Sequence, residues 1–570
     1  MKRRNFIKNL SAAAAVPLAI NGVPIKVMAN KTPMERLVAQ SNNDKVLIIL
    51  QMHGGNDGIN TFVPIEQYDQ YYSRRANIAL PYKSGRRSII ELDTTLPLAD
   101  QVGLHPDLTD MKRMYDRGSM SIIQGVSYPK NNGSHFRGRD IWFMGGGPDD
   151  YFSSGWIGRF LSKEYEPLIY PDDFPNEEMK DPLALEMGND VSLLFHQGDN
   201  IPVSLSLNSS PGNLANLIDQ LEGYTDEGVD PRGLPPEFLT GSRYAKEMNW
   251  ILGLEDKSEI YVKRLLEVYN NASATTVDYP EVYPFATRSR NPLSNQLQLV
   301  ARLLDGGGPG QGVKTKVFLV RIGGFDTHAE QVQAGDPTIG SHSALLYHIS
   351  TAMQAFQKDL ANRGIEDKVL TMTMSEFGRR VASNGSYGTD HGTGGPVMLF
   401  GRNVKPGVFG TNPDMTKNNV DLQYDYRQIY ANILKDWMGV DESVITNDIL
   451  FKNFINGTGA DGEVYEPMEL TRSIVSGTGD FVSKRFRLES LYPNPAHDLV
   501  NIKFRINAND EVSVNLLNVE GKLIRQIVKK QFIAGEHTIQ LNLEDVSAGF
   551  YNISLKSSNL NATKKLIVRK

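Results

Sequence analysis

The sequence predicts an α/β domain built on a largely parallel sheet, followed by a small all-β sandwich. Two observations carry this expectation. Five short, uninterrupted apolar runs alternate with helical patterns through the middle of the chain, as strands buried on both faces of a sheet do when helices connect them. From Arg487 onward the pattern changes to short alternating runs between turn signals, the pattern of a small antiparallel sandwich.

The apolar runs are Lys45–Gln51 (KVLIILQ), Ser119–Val126 (SMSIIQGV), Thr315–Ile322 (TKVFLVRI), Lys368–Met374 (KVLTMTM) and Pro396–Phe400 (PVMLF). A helical pattern over Asn295–Leu304 precedes the third. Another over Ala344–Asn362 precedes the fourth, with Leu345, Ile349, Met353 and Phe356 on one face. The turn-rich stretch 164–274, with a long helical pattern near Tyr244–Tyr269, reads as an insertion that covers the sheet. In the last part of the chain the runs are VNIKFRI, EVSVNLLNV, KLIRQIVKK, HTIQLNL, FYNISLKS and KKLIVRK. The expected organisation is a signal segment at 1–30, the α/β domain at 31–475, a linker at 476–486 and the β-sandwich at 487–570.

Composition removes several function classes. The 570-residue chain carries 60 Lys and Arg against 66 Asp and Glu, for a net charge of -6. Nothing in that balance favours nucleic acid or an anionic membrane surface. The absence of cysteine excludes disulfides, thiolate metal sites and cysteine nucleophiles. The start has the form of an export signal. Arg3-Arg4-Asn5-Phe6-Ile7-Lys8 resembles a twin-arginine motif, and the apolar stretch Leu10–Ile20 behind it is too short to span a bilayer comfortably. An ordinary secretory signal is the alternative. No later run is long and apolar enough to span, so no transmembrane helix is expected in the mature chain.

Ligands of open α/β sheets bind beyond the carboxyl ends of the strands, so the residues after each buried run matter most. They are Met52-His53-Gly54-Gly55-Asn56-Asp57-Gly58, Ser127 to His135, Gly323-Gly324-Phe325-Asp326-Thr327-His328 and Ser375-Glu376-Phe377-Gly378-Arg379, with Thr389-Asp390-His391-Gly392 just before the last run. Carboxylates and imidazoles without thiolates suit zinc, manganese or another divalent ion, calcium being a further alternative. Asp326 and His328 read as half a metal site that His391 could complete, and Asp57 and Glu376 as ligands of a second ion. Taken singly, each of these motifs also reads as a turn with a satisfied histidine. Ser134 is the candidate nucleophile, and equally an N-cap for the helix that His135 opens. Arg137, Arg139 and Arg379 are candidates for binding anionic oxygens, with surface ion pairing as the alternative. His53 and His105 read as structural, His342 and His348 as solvent or packing residues.

Two resemblances add to this reading. Leu491-Tyr492-Pro493-Asn494-Pro495, Ala548-Gly549-Phe550-Tyr551 and the basic end Lys564–Lys570 resemble the C-terminal sorting domain of the bacterial type IX secretion system. That implies passage across the outer membrane through the type IX machinery to the cell surface or exterior, after transit of the periplasm by the twin-arginine route that the N-terminal motif suggests. The segments HGGNDGINTFVP, NGSHFRGRDIW, GGFDTH, SEFGRR and GTDHGTGGPVMLFG, in that order, resemble the family called domain of unknown function 1501, placed in the alkaline phosphatase and sulfatase superfamily. The resemblance implies a doubly wound sheet with helices on both faces and a one- or two-metal site at its carboxyl edge. By position, Asp57, Asp326, His328, Glu376 and His391 resemble metal ligands and Ser134 the nucleophile. Phe377 stands where a histidine ligand is common, and no Cys-x-Pro-x-Arg sulfatase motif is present. The implied activity is hydrolysis of a phosphate or sulfate ester, on a small molecule or an extracellular polymer. The alternative is a surface binding or scaffold protein that keeps the fold without the chemistry.

Overall fold

The computed structural model describes residues 44–207 apart from 189–190 and 199–200, 257–472 apart from 259, 286–288, 460–461 and 463, and 486–570 apart from 507–509, 519–521, 533–534 and 557–560, together with a strand pair at 19–20 and 23–24. The rest of the expected signal segment, most of the linker, and the 244–256 part of the expected long helix lie outside the described residues. The chain divides into two compact units, residues 1–472 and 473–570.

The first unit is organised on one mixed sheet. Its strands are β1 (Val46–His53), β2 (Met120–Ser127), β3 (Ala184–Met187), β4 (Ser204–Leu207), β5 (Val317–Gly323), β6 (Val369–Met374), β7 (Gly395–Phe400) and β8 (Gly407–Phe409). They lie side by side in the order β8-β2-β7-β6-β1-β5-β3-β4, and a two-residue strand at Tyr424–Asp425 also pairs with β2. Every pairing is parallel except those of β7, which runs against both β6 and β2. β1 is central, flanked in register by β5, with Gly323 opposite His53, and by β6, with Met374 opposite Gln51.

The apolar runs are buried on both faces, which is why they are uninterrupted. Ile48 and Leu50 face a cluster built from Met111 and Met114, Leu297 and Val300 of α2 (Pro292–Asp305), and Met353 and Phe356 of α3 (Ser341–Asn362). Leu47 and Ile49, pointing the other way, are equally inaccessible. An aromatic block elsewhere in the same unit stacks Trp142 on Tyr426 and Trp156 on Tyr430.

The stretch 164–274 does more than cover the sheet. β3 and β4 lie within it and extend the sheet in parallel beyond β5. Each is four residues long, and the buried Glu186 interrupts the apolar character of β3, so neither reads as a strand from sequence.

The second unit has a three-stranded sheet (Phe486–Tyr492, Leu499–Ile506, Gly535–Asn542) and a four-stranded sheet (Leu523–Phe532, Asp510–Leu517, Gly549–Lys556, Asn561–Val568), in those orders. All pairings are antiparallel. Val500, Ile502 and Phe504 of one sheet and Val514, Leu516, Ile553 and Leu555 of the other share one apolar cluster, which makes the unit a sandwich.

His342 and His348 lie on α3 as packing residues, buried, with Nε2 of His342 3.0 Å from Asn56 Oδ1 and Nε2 of His348 3.0 Å from Ser289 Oγ. Burial pushes both pKa values down to about 4. The folded protein therefore keeps them neutral while the unfolded chain takes up protons below its ordinary value near 6.5. Their contribution is complete above about pH 6.5 and declines as pH falls toward 4, by on the order of 2–3 kcal/mol each. Urea unfolding of chelator-treated protein at pH 7, 6 and 5 is expected to show falling midpoints, with a shallower fall in His342→Gln.

Candidate metal centre

The parallel strands β1, β2, β5 and β6 all end at one edge of the sheet. Because β7 is antiparallel, it begins there, and this single reversal brings Asp390 and His391 to the same edge as the other loops. Gly54 is what allows the closest approach. Its φ is +124°, and a Cβ there would stand 2.2 Å from the backbone nitrogen of Asp326, so only glycine lets the β1 and β5 loops meet.

Three imidazoles converge on Asp326. Nε2 of His135 is 3.4 Å from Asp326 Oδ2, and Nε2 of His328 and of His391 are 3.4 and 3.5 Å from Oδ1. Nε2 of His328 and Nε2 of His391 are 2.8 Å apart. His135, Asp326 and His391 each present a ligand atom within 4.8 Å of the others. Ligands arranged tetrahedrally about a zinc ion at its usual bond lengths lie about 3.3 Å from one another.

The outer nitrogens are held as metal-binding histidines usually are. Nδ1 of His391 donates to the carbonyl of Gly133 at 2.7 Å. Nδ1 of His135 is 2.8 Å from Oε1 of Glu376, which also accepts the amide of Gly54 at 2.9 Å. Nδ1 of His328 faces Asp390 Oδ1 at 3.5 Å. A proton on Nδ1 leaves the lone pair on Nε2. Among the described residues, Nε2 of His135 is buried with no hydrogen-bond partner, an unsatisfied atom that a cation would fit. Phe377 walls the cluster, its ring 4.8 Å from that of His135 and 4.4 Å from that of His391. Burial opposes ionisation of Asp326, but the hydrogen bond and charge of Arg379 carry its pKa below the ordinary value. Burial also lowers that of His391, with Arg379 and the two other imidazoles adding to the effect against the raising bond to Gly133. The cluster thus holds an ionised carboxylate beside a neutral His391 at pH 7.

The structure brings together Asp326, His328 and His391 as the sequence suggested, and it adds His135. The signal for His135 was its position in the loop after β2, which the reading of Ser134 as nucleophile overshadowed. Four other expectations are corrected. Asp57 is fully buried away from the cluster, with both oxygens already taken: Oδ1 accepts the amides of Ile59 and Asn60, and Oδ2 accepts Arg75 at 2.6 Å and Gln331 at 2.6 Å. It caps a helical turn and neutralises a buried guanidinium. Glu376 stands behind His135 rather than among the ligands. Arg379 is buried, and it donates to the carbonyls of Gly54, Gly55, Phe325 and Thr389 and at 2.7 Å to Asp326, so it is committed to the surrounding loops. Arg137 donates to the carbonyls of Pro148 and Asp150 and lies over the ring of Tyr151.

Ser134 caps α1 (His135–Met144), its Oγ accepting the amide of Arg137 at 3.3 Å. It is also flanked on both sides by residues tied into the cluster, Gly133 through His391 and His135 itself.

Residues 285–456 match the family described as protein of unknown function (DUF1501). Residues 490–569 match the secretion system C-terminal sorting domain. That tail marks the chain for export to the cell surface or beyond. No curated protein matches the chain. Among solved structures, a protein of the alkaline phosphatase superfamily from Vibrio parahaemolyticus is similar at 9% identity over 90% of this chain and 82% of that one, with a TM-score of 0.33. An alkaline phosphatase from the Antarctic bacterium TAB5 is similar at 10% identity over 69% and 98%, with a TM-score of 0.27. PorZ, a surface component of the type IX secretion system of Porphyromonas gingivalis, is similar at 20% identity over 20% of this chain and 14% of its own length, with a TM-score of 0.12. Among the described residues no helix is long and apolar enough to cross a membrane.

The two misassigned carboxylates give separable outcomes. Asp57→Asn leaves Arg75 buried without its countercharge and is expected to lower stability by about 3–5 kcal/mol in urea unfolding while leaving the metal content of the folded protein unchanged. Glu376→Gln is expected to leave stability nearly intact and to weaken metal binding by about 10–100-fold, read by competition with a chromophoric chelator.

Proposed function

We propose that this chain is an exported, metal-dependent hydrolase of phosphate or sulfate esters. The observation that carries the reading is the convergence of three Nε2 atoms on one carboxylate, with the far side of His135 and His391 held by an acceptor. His135, Asp326, His328 and His391 would together hold one divalent ion. Imidazole donors suit zinc or manganese and argue against calcium, which takes oxygen ligands. Such an ion supplies Lewis-acid stabilisation of charge on an ester oxygen.

The chain's own residues support the remaining roles. Glu376 fixes the ring of His135 and the Gly133 carbonyl fixes that of His391, so neither imidazole needs to reorient when substrate arrives. Arg379 keeps Asp326 ionised and in place. Ser134 would attack the phosphorus or sulfur atom. Its Oγ accepts a hydrogen bond and so keeps its own proton free to leave, and the N-terminus of α1 behind it favours anionic oxygens. Attack would form a serine ester and expel the alcohol, and water would then release the acid and restore the serine. Phe377 closes the apolar wall where a second ion's ligand would be needed, which supports a single ion.

The test is elemental mass spectrometry on the mature protein. One ion per chain is expected after incubation with zinc or manganese, lost in His135→Ala, Asp326→Ala and His391→Ala. Ser134→Ala should keep the ion and lose at least about a thousandfold in turnover of an aryl phosphate or aryl sulfate. A protein that binds no ion would end the hydrolase reading and favour a surface binding role.

A further inference from the structure

The helix that supplies His135 carries a second group toward the same edge. Residues four apart lie on one face of a helix, with Cβ atoms about 5–6 Å apart, so Arg139 follows His135 along α1. The ring of His53, the last residue of β1, lies against that of His135, 6.2 Å between centroids. Gly323 is the registered neighbour of His53 on β5, and Arg321, two residues earlier, points to the same face of the sheet. α1 also packs against the short turn Leu193–Phe195. Just before that turn, the amide of Ser192 donates to Glu186 Oε2 at 2.8 Å. Arg139 and Arg321 are thereby placed on the same side of the sheet, and the positive charge of Arg139 adds to burial in lowering the pKa of Arg321 to about 10.

These two guanidinium groups differ from the others at this edge. Arg379 gives Nε, Nη1 and Nη2 to carbonyls and Asp326, and Arg137 gives Nη2 to two carbonyls. Nε of Arg139 and Nε of Arg321 are buried and, among the described residues, have no hydrogen-bond partner. Among the described residues the acidic partner of Arg139 is Asp140, at 3.5 Å, and Arg321 is paired with Glu186. Both side chains remain partly exposed. Beside Arg139 the ring of Phe136 is 76% exposed, an apolar surface directly adjoining His135. Two guanidinium groups that each have one carboxylate partner and remain partly exposed, with an apolar shelf beside them, fit an anionic group that is carried on the same molecule as the ester.

We infer that Arg139 and Arg321 form a subsite for a second anionic group of the substrate, about one helical turn from the metal cluster, so that the preferred substrates are esters bearing another carboxylate, sulfate or phosphate. The inference rests on the hydrolase reading for its catalytic consequence but not for the binding itself. The second anion would be held while the ester group faces Ser134, and the tether between them would run over Phe136.

The test compares a hexose 1,6-bisphosphate with the hexose 6-phosphate, and a disulfated disaccharide with its monosulfated counterpart, on the zinc-loaded mature protein. Wild type is expected to favour the doubly anionic probe in kcat/KM, mainly through KM. Arg139→Gln, at unchanged metal content, should lower that preference about tenfold. Arg321→Lys, which keeps the charge opposite Glu186, should lower it less. A preference that is absent in wild type, or unaltered in Arg139→Gln, overturns the subsite. If no probe is turned over, the same pairs are measured by calorimetry. Tighter binding of the doubly anionic member that is lost in Arg139→Gln supports the subsite although the hydrolase reading has failed, and equal binding of both members overturns it.

Discussion

One buried guanidinium holds the edge of the sheet together. Arg379 follows β6, and its donors reach the loop after β1 at Gly54 and Gly55, the loop after β5 at Phe325 and Asp326, and the hairpin before β7 at Thr389. Three segments that are distant in sequence, the loops after β1 and β5 and the hairpin that Arg379 opens, are thereby fixed relative to one another by a single rigid fork. Burying this charge is costly unless its donors are matched, and here they meet four carbonyls and one carboxylate. The position of Asp326, on which the three imidazoles converge, is a direct result. A lysine could not reproduce the arrangement, because a point charge lacks the planar spread of donors that reaches separate loops at once.

The carboxylates at this edge divide according to what neutralises them. Asp57 has Arg75 and two backbone amides, and is spent entirely on structure. Glu376 has the amide of Gly54 and the ring of His135, so it acts through the imidazole it orients. Asp326 is the one of the three that is half exposed, with one oxygen anchored and the other turned toward His135. Neutralisation and exposure separate the candidate ligand from the two supports more clearly than residue type does.

The same distinction explains how much could be read in advance. The five long strands were legible because burial on both faces leaves few polar positions in them, and the loops that follow them were legible because a parallel sheet sends its strand ends to one edge. Asp326, His328 and His391 followed from that. Asp57 and Glu376 were misread because a carboxylate's letter says nothing of the partner that neutralises it, and Arg75 lies 18 residues from Asp57. His135 was overlooked because the adjacent serine drew the role. β3 and β4 were overlooked because four residues with a glutamate among them do not make an apolar run. The fate of the arginines was equally hidden, since the carbonyls that occupy Arg137 and Arg379 carry no mark in a sequence.

The chain has no cysteine, and yet its tail marks it for export to the cell surface or beyond. The spread of the ligand positions bears on this. His135, Asp326 and His391 come from three segments spanning more than half of the α/β domain. On the proposed reading, an ion joining them would behave as a covalent staple does, restricting the unfolded chain across long loops and holding together segments that local opening would otherwise separate. Such a staple forms only once β7 has entered the sheet. It would reward completed folds over partial ones, and in an exported protein it would convert the occupancy of one site into resistance to being cut.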